Sequence, residues 1–214
     1  MRGKFITFEG GEGAGKSTQI KLLSEYLYQK GYDNITTKEP GGTEVGLEIR
    51  KLLVCGDQNK LDAVAESMLY FADRHMHLVQ KIWPALEEGK FVLSDRFADS
   101  TMAYQYYGYN KRVSKEMLES LYQMAVGNFK PDLTIILDMD PKIGLKRSFD
   151  KAKTMDVKEL RFESKELEFH ERLRQGFSDI AKEEPERCVV LDADKSIEML
   201  HEDIVKAVEQ KFGL

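Results

Sequence analysis

Residues 8–18 of the sequence, FEGGEGAGKST, could hold a chain of phosphates. Gly10, Gly15, Lys16 and Ser17 fit the pattern G-x-x-x-x-G-K-S/T, in which backbone N–H groups surround a β-phosphate. The lysine would bridge the β- and γ-phosphates, and the serine hydroxyl would bind Mg²⁺. We therefore predict that a nucleoside triphosphate contacts the whole loop: Gly10, Gly11, Glu12, Gly13, Ala14, Gly15, Lys16, Ser17 and Thr18.

A second group of polar residues follows the apolar segment FVLSD at 91–95. Asp95 ends this predicted strand, in the position of a carboxylate that approaches Mg²⁺, directly or through water. Arg96 follows at the carboxyl edge, where open α/β sheets bind their ligands. Ser100, Thr101, Tyr104 and Gln105 form a polar and aromatic cluster just beyond.

Two further segments could contribute to a second ligand site. In KEPGGTEV, from residue 38, Pro40 to Gly42 predict a tight turn, Thr43 an N-cap, and Arg50 a cation on the helix that follows; a solvated helix charge explains Arg50 equally well. Tyr70 and Arg74 are four residues apart and share a helix face, so they could stack on a base and bind its edge; core packing is the competing interpretation.

Two apparent motifs are interpreted as coincidences. Asn59-Lys60-Leu61-Asp62 matches the guanine-binding NKxD of GTPases but lies too early in the chain, so we predict that Asp62 caps a helix. His75 and His77 are two residues apart and diverge on a helix, which argues against a metal site.

The distribution of apolar segments predicts a three-layer α/β fold. Five short apolar strands, each separated from the next by a helix, indicate a parallel sheet covered on both faces. The strands are predicted at 5–8, 34–39, 91–95, 133–140 and 188–194, with helices that include 16–30 and 61–88. The stretch 146–175 is dense in both signs of charge, and we interpret it as a mobile lid or as a solvated helical pair.

Composition excludes several classes of protein. The net charge of −5 argues against a nucleic-acid binder, and no apolar run is long enough to span a membrane. The N-terminus lacks the pattern of a signal peptide, and Cys55 and Cys188 are far apart. We therefore expect reduced thiols and a cytoplasmic location.

Taken together, the motifs FEGGEGAGKST, EPGGT, YFADR, SDRFADSTMAYQ, LDMDPKIGLKR, LRFE and LDAD resemble the thymidylate kinase family over nearly the whole chain. The resemblance implies a P-loop nucleoside-monophosphate kinase fold, a five-stranded parallel sheet with a helical lid. It also implies one domain over 1–214, with the lid at about 146–175, and Mg²⁺-dependent transfer from ATP to dTMP by a homodimer. The candidate dimer face is helices 61–88 and 114–127, and core packing explains the apolar helix faces there equally well.

The same resemblance implies a role for each residue of the acceptor site. Arg50 and Arg96 would hold the dTMP phosphate, Arg74 and Thr101 would bind thymine, and Tyr104 would exclude a 2′-hydroxyl. Glu12, the one anion in the phosphate loop, would face the dTMP sugar and bind its 3′-hydroxyl. The remaining expected contacts are Glu39, Pro40, Gly41, Gly42, Ser100, Gln105 and a stacking ring, either Tyr70 or Phe71.

The catalytic set implied by the resemblance is Lys16, Asp95, Arg96 and a lid arginine. Some members of the family carry that arginine in the phosphate loop, where this chain has Gly13. Arg161 in LRFE fits the lid motif best, and Arg147 is the alternative, with a possible place beside adenine together with Asp192 and Asp194. The extra lid residues KAKTMDV (151–157) leave this choice open. Two alternative functions also remain: a kinase for another nucleotide or a deoxynucleoside, and a P-loop regulatory protein.

Overall fold

A computed structural model of the chain describes residues 2–57, 59–153 and 161–214. Its centre is a five-stranded sheet in the order β2-β3-β1-β4-β5, and every pairing is parallel. This confirms the predicted sheet. The strands are β1 (Lys4–Gly10), β2 (Asn34–Lys38), β3 (Phe91–Asp95), β4 (Leu133–Asp138) and β5 (Cys188–Asp192).

Helices cover both faces of the sheet. Ile6 and Phe8 point to the face packed by α1 and α9, whereas Phe5, one residue out of phase, packs with the helices of the opposite face. The helices are α1 (Lys16–Gln29), α2 (Glu44–Val54), α3 (Ala63–His77), α4 (Trp83–Glu87), α5 (Ala98–Thr101), α6 (Lys115–Ala125), α7 (Pro141–Ala152), α8 (Leu167–Glu183) and α9 (Ile197–Phe212).

Side-chain caps fix where the site-bearing helices begin. Thr43 Oγ1 accepts from the Gly46 N–H at 3.0 Å, and Asp62 Oδ1 accepts from the Ala65 N–H at 2.8 Å. Both predicted caps are confirmed, and the cap explains Asp62 in the NKxD-like sequence. β4 ends two residues earlier than predicted because Asp140 caps α7, accepting from the Lys142 N–H at 2.8 Å.

The long helix predicted at 61–88 is present but not uniform. A π-helical turn, Leu78–Ile82, joins α3 to α4. Pro84 explains the change, because it has no N–H to donate and its ring crowds the preceding turn. A second π-helical segment, Met102–Gly108, continues α5 and carries Tyr104 and Gln105.

The phosphate loop and α7 approach so closely that neither can carry a side chain at the contact. A Cβ at Gly13 would lie 2.0 Å from the Gly144 carbonyl oxygen, and one at Gly144 would lie 2.3 Å from the Glu12 carbonyl oxygen. An arginine at position 13 would therefore displace α7. The first turns of α7 are fixed directly against the loop.

The predicted lid, 146–175, is described only in part, because residues 154–160 and most of KAKTMDV lie outside the described residues. What is described comprises the end of α7, residues 161–166 and the start of α8. Across the ranges 2–57, 59–153 and 161–214, no helix has the length and apolar composition needed to cross a membrane.

Candidate active site

The phosphate loop connects β1 to α1 and has the expected form. Gly15 adopts φ 92°, which favours glycine, and α1 begins at Lys16. Lys16 Nζ donates to the carbonyl oxygens of Gly11 at 2.8 Å and Gly10 at 3.2 Å. Burial and the charge of Arg96 lower the pKa of this lysine, and nearby carboxylates only partly oppose the shift.

Ser17 and Asp95 come together at the carboxyl edge of the sheet. Ser17 Oγ donates to Asp95 Oδ2 at 2.8 Å, although 78 residues separate them in the chain. A hydroxyl and a carboxylate are oxygen ligands of the kind that Mg²⁺ prefers. The predicted metal pair is therefore in place beside the phosphate loop.

A cavity of about 490 Å³, the donor cavity, opens over this loop. Its far wall is α7, which contributes Arg147, Ser148 and Lys151. Arg147 Nη2 also lies 3.3 Å from Asp194 Oδ1, and Asp192 accepts from the Asp194 N–H at 2.9 Å, so the three residues predicted near adenine are adjacent. The cavity is lined by Glu12, Gly13, Ala14, Gly15, Lys16, Ser17, Thr18, Lys38, Glu39, Arg50, Asp95, Arg96, Arg147, Ser148, Lys151, Ala152 and Glu163.

A second cavity of about 130 Å³, the acceptor cavity, adjoins the first and gathers most of the residues predicted to bind a monophosphate. Glu12, Glu39, Arg50, Arg96 and Glu163 line both cavities. The remaining lining residues of the acceptor cavity are Pro40, Val54, Tyr70, Arg74, Phe97, Ser100, Thr101, Tyr104, Gln105 and Phe162. Gly41 and Gly42 line a neighbouring crevice beside Ser17 and Asp95.

Arg74 is buried at one end of the acceptor cavity. Its Nε donates to Glu39 Oε2 at 2.9 Å, and its Nη2 donates to the Phe97 carbonyl at 3.0 Å and to Thr101 Oγ1 at 2.9 Å. Tyr70 lines the cavity, whereas Phe71 is buried in the core and packs edge-on against Tyr122. Of the two rings, Tyr70 is therefore the one placed to stack on a ligand.

Arg96 lies where the two cavities meet. Nη1 donates to the Gly10 carbonyl at 2.9 Å and to Ser100 Oγ at 3.0 Å, and Nη2 lies 3.2 Å from Glu12 Oε1. The Tyr104 hydroxyl also bonds to Glu12. Burial alone would raise the pKa of Glu12, but the charges of Arg96 and Lys16 lower it below its usual value. Glu12 thus lies as an anion between the acceptor cavity and the loop.

The structure corrects the sequence-based choice of Arg161 as the lid arginine, because it places this residue away from both cavities. Arg161 is buried and pairs with Glu66, Nη2 to Oε1, at 2.5 Å. It also donates to the carbonyls of Leu53 at 2.9 Å and Asp57 at 3.1 Å. These contacts anchor the segment between α2 and α3, and Arg161 lines neither cavity. The reason is that this guanidinium already bonds to Glu66 and to the carbonyls of Leu53, Asp57 and Leu61.

The residues of LRFE that reach the cavities were missed from the sequence. Phe162 lines the acceptor cavity, and Glu163 lines both cavities and accepts from Ser148 Oγ at 2.9 Å. Burial and the neighbouring charge of Glu12 raise the pKa of Glu163 to about 7. The motif LRFE pointed to this segment, but only its arginine, Arg161, was predicted as a site residue, and Glu163 was not. Val54 and Ser148 stand in no predicted motif, and Lys38, the first residue of KEPGGTEV, and Lys151 were not predicted as site residues.

Glu9, in β1 just before the loop, is buried and helps to hold the start of α5. Its carboxylate accepts from the Phe97 N–H at 2.8 Å and from the Ser100 hydroxyl. Burial, with the charge of Asp99, raises the pKa of Glu9 from 4.5 to about 8. The folded protein therefore holds a proton that the unfolded chain releases over this range.

We predict that Glu9 makes stability fall as pH rises between about 4.5 and 8. The folded state binds more protons there than the unfolded state, so each pH unit lowers the free energy of unfolding by up to about 1.4 kcal/mol. Glu9→Gln keeps an oxygen for the Phe97 N–H and removes the titration, so its slope should be smaller. Urea unfolding at pH 5, 6, 7 and 8 measures both slopes, and equal slopes would contradict the assignment.

Comparisons with known proteins agree with this geometry. A family model described as thymidylate kinase matches residues 8–204. The thymidylate kinase of Magnetococcus marinus is 45% identical over 212 residues, covering 99% of this chain and 98% of the relative. That of Caulobacter vibrioides is 46% identical over 213 residues, covering 100% and 99%. The crystal structure of thymidylate kinase from Ehrlichia chaffeensis superposes with a TM-score of 0.75 at 34% identity, covering 97% of this chain and 99% of the other.

Proposed function

This chain belongs to the thymidylate kinase family, and we propose that it transfers the γ-phosphoryl group of ATP to dTMP, giving ADP and dTDP. The observation that carries the proposal is the wall shared by the donor and acceptor cavities. Glu12, Arg50 and Arg96 line both, so two bound phosphates would meet there. In-line transfer between two nucleotides requires such a junction.

On the donor side, the phosphate loop and Lys16 would hold the β- and γ-phosphates. Ser17 and Asp95 would hold Mg²⁺, with water completing its ligands, and the ion would neutralise charge on the phosphate oxygens. Lys16 is already within the loop, bound to its carbonyls. Asp192, Asp194 and Arg147 would border the adenine.

On the acceptor side, Arg50 and Arg96 would hold the dTMP phosphate. Arg50 Nη1 donates to the Pro40 carbonyl at 2.9 Å, which places its guanidinium beside the turn that carries Gly41 and Gly42. The acceptor phosphate is an oxyanion near neutral pH, so no strong base is needed. Positioning and charge neutralisation would supply most of the rate enhancement.

The rest of the acceptor cavity fits a deoxyribosyl thymine. Tyr70 would stack on the base, while Arg74, Thr101 and Gln105 would bind its polar edge. Tyr104 and Glu12, which hydrogen-bond to each other, would lie along the sugar. Glu12 would accept from the 3′-hydroxyl, and the Tyr104 ring would leave no room for a 2′-hydroxyl.

The lid cation is assigned to Arg147 in this proposal. Arg147 lines the donor cavity from α7, which is packed directly on the phosphate loop at Gly13 and Gly144. Arg161, by contrast, supports the fold through Glu66. We infer that Arg147 neutralises the transferring group, with Lys151 as a second cation on the same helix.

The test of the proposed function is a transfer assay with ATP and Mg²⁺ over dTMP, dUMP, UMP, CMP and AMP. We expect dTMP to have the highest kcat/KM, because the cavity supplies a thymine-binding end and excludes a 2′-hydroxyl. dTMP alone should also raise the melting temperature, because it binds only the folded state.

Preference for another acceptor would assign the chain to a different nucleotide kinase. A protein that binds ATP, transfers no phosphate and gains no stability from dTMP would be a P-loop regulatory protein.

We predict that Arg147→Ala lowers kcat by about 10²–10³-fold, because one charge that stabilises the transition state is lost. The melting temperature should stay close to that of the unchanged chain, since Arg147 is exposed. Lys146→Ala, on the neighbouring exposed residue, is the matched control. Steady-state kinetics with dTMP and ATP give the comparison.

Arg161→Met should instead lower the free energy of unfolding by about 3–5 kcal/mol, because Glu66 loses its buried partner. Normal turnover in Arg147→Ala would contradict the assignment of the lid cation.

We predict that Glu12→Gln lowers kcat/KM for dTMP by about 10–100-fold, the value of a hydrogen bond to a charged group. The loss should be much smaller with 3′-deoxy-dTMP, which lacks the hydroxyl. Glu168→Gln, on the exposed side of α8, is the charge-matched control. Equal losses for the two acceptors would exclude a contact between Glu12 and the 3′-hydroxyl.

The proposal includes a homodimer, supported by an exposed apolar strip on neighbouring helices. Val64, Met68 and Val79 are exposed along α3 and the π-helical turn, and Val45 and Leu52 are exposed on α2. The sequence placed α6 in this face. In the structure its Leu118 is buried against α3, so the face we propose uses α2 instead of α6. Cys55 and Cys188 are free thiols, which fits a cytoplasmic location.

A further inference from the structure

Glu39 lines the acceptor cavity, but its carboxylate is occupied by two protein side chains. Oε2 accepts from Arg74 Nε at 2.9 Å, and Oε1 lies 2.9 Å from His77 Nδ1. All three residues are buried. Burial at this depth disfavours an unpaired carboxylate, so its geometry is set by these two partners. Glu39 is therefore better placed to hold Arg74 than to bind a ligand.

His77 connects this carboxylate to the sheet. Its Nε2 lies 2.7 Å from Thr37 Oγ1 on β2, so both ring nitrogens are hydrogen-bonded. The ring packs directly against Gly42, since a Cβ there would come within 2.3 Å of His77 Cδ2. A continuous chain thus runs from Thr37 through His77 and Glu39 to Arg74.

Arg74, at the end of this chain, keeps one donor group unused among the described residues. Nε and Nη2 are hydrogen-bonded to protein atoms, whereas the buried Nη1 has no partner there. The guanidinium also lies 4.8 Å from the centre of the Phe71 ring and 5.1 Å from that of Phe97. These contacts hold the guanidinium at the end of the acceptor cavity that Arg74 lines.

The same part of α3 holds the phosphate end of the cavity. Asp73 Oδ1 accepts from the Gly41 N–H at 3.1 Å, and a Cβ at Gly46 would lie 2.3 Å from that oxygen. Asp73 therefore holds the turn after β2, while the next residue of α3, Arg74, carries the guanidinium at the base end of the cavity. Glu39, which begins that turn, accepts from Arg74 Nε, so this ion pair also joins the turn to the guanidinium.

We propose that His77 and Glu39 are positioning residues for dTMP: they fix the Arg74 guanidinium at the end of the acceptor cavity, where it would donate to O4 of thymine. This inference rests on the proposed dTMP site. The hydrogen bond to O4 is directional, and Arg74 has several rotatable bonds, so an unrestrained guanidinium would lose both affinity and base discrimination. The chain through His77 supplies the restraint from the side away from the ligand.

The test compares three variants with the unchanged chain. His77→Phe keeps an aromatic ring, a larger one, and removes both nitrogens, so KM for dTMP should rise at least about tenfold while KM for ATP changes less than about twofold. His77→Asn places an N–H donor near the position of Nδ1 and should restore most of the loss. Thr37→Val removes only the far hydrogen bond and should raise KM for dTMP about threefold.

Thr36→Val is the matched control, because Thr36 is exposed and adjacent side chains of a strand point to opposite faces. The decisive readout is the ratio of kcat/KM for dTMP over dCMP. It should fall with His77→Phe, because cytosine carries an amino group in place of O4. Melting temperatures show which variants are folded. If His77→Phe does not fold, the proposal is tested by KM for dTMP and the dTMP to dCMP ratio in Thr37→Val and His77→Asn.

Folded variants with unchanged KM for dTMP and an unchanged dTMP to dCMP ratio would overturn the proposal, as would equal rises in KM for dTMP and ATP. Activity of the unchanged chain on dTMP is measured first. Its absence would refute the proposed function, whereas normal activity with unaffected variants would refute only the role of His77 and Glu39.

Discussion

The side chain of Arg96 joins the parts of the site that must act together. It bonds to the Gly10 carbonyl of the phosphate loop, to Ser100 on α5, and to Glu12 between the cavities. Its backbone has φ 71°, a conformation that costs a non-glycine residue free energy, and its N–H is held by the Phe8 carbonyl at 2.9 Å. The sheet therefore fixes the cation on which two like-charged phosphates would converge.

A limit on space complements this cation. Gly13 and Gly144 leave no volume for side chains between the phosphate loop and α7. A further cation, added to Lys16, Arg50 and Arg96 at the transferring group, would then have to come from farther along α7 or from beyond it. Arg147 and Lys151 lie one and two helical turns after that contact, on the wall of the donor cavity. The close approach at Gly13 excludes an arginine from the loop. The same contact fixes α7, the helix that carries Arg147.

The sequence predicts those parts of the molecule that local physics decides. The loop, the caps at Thr43 and Asp62, and the apolar strands depend on neighbouring residues, and they appear as expected. Arg161 shows where such reasoning ends. Its partner Glu66 is 95 residues away, and no local pattern predicts that a buried carboxylate will take the guanidinium into the core. Glu163 lies two residues after Arg161 and lines both cavities. Its position also depends on contacts with residues distant in the chain, which no local pattern predicts.

Buried carboxylates recur behind the acceptor cavity and hold several of the side chains that line it. Glu39 holds Arg74 and His77, while Glu66 holds Gln105 at 3.0 Å, Tyr109 at 2.9 Å and Arg161. Buried ion pairs are poor sources of stability, because desolvation offsets much of their attraction. Removing one partner is nevertheless costly, so each pair admits few alternative geometries. Glu39 and Glu66 lie directly behind Arg74 and Gln105. They therefore add little to stability, but they fix the donor groups at the end of the cavity where a base must be recognised.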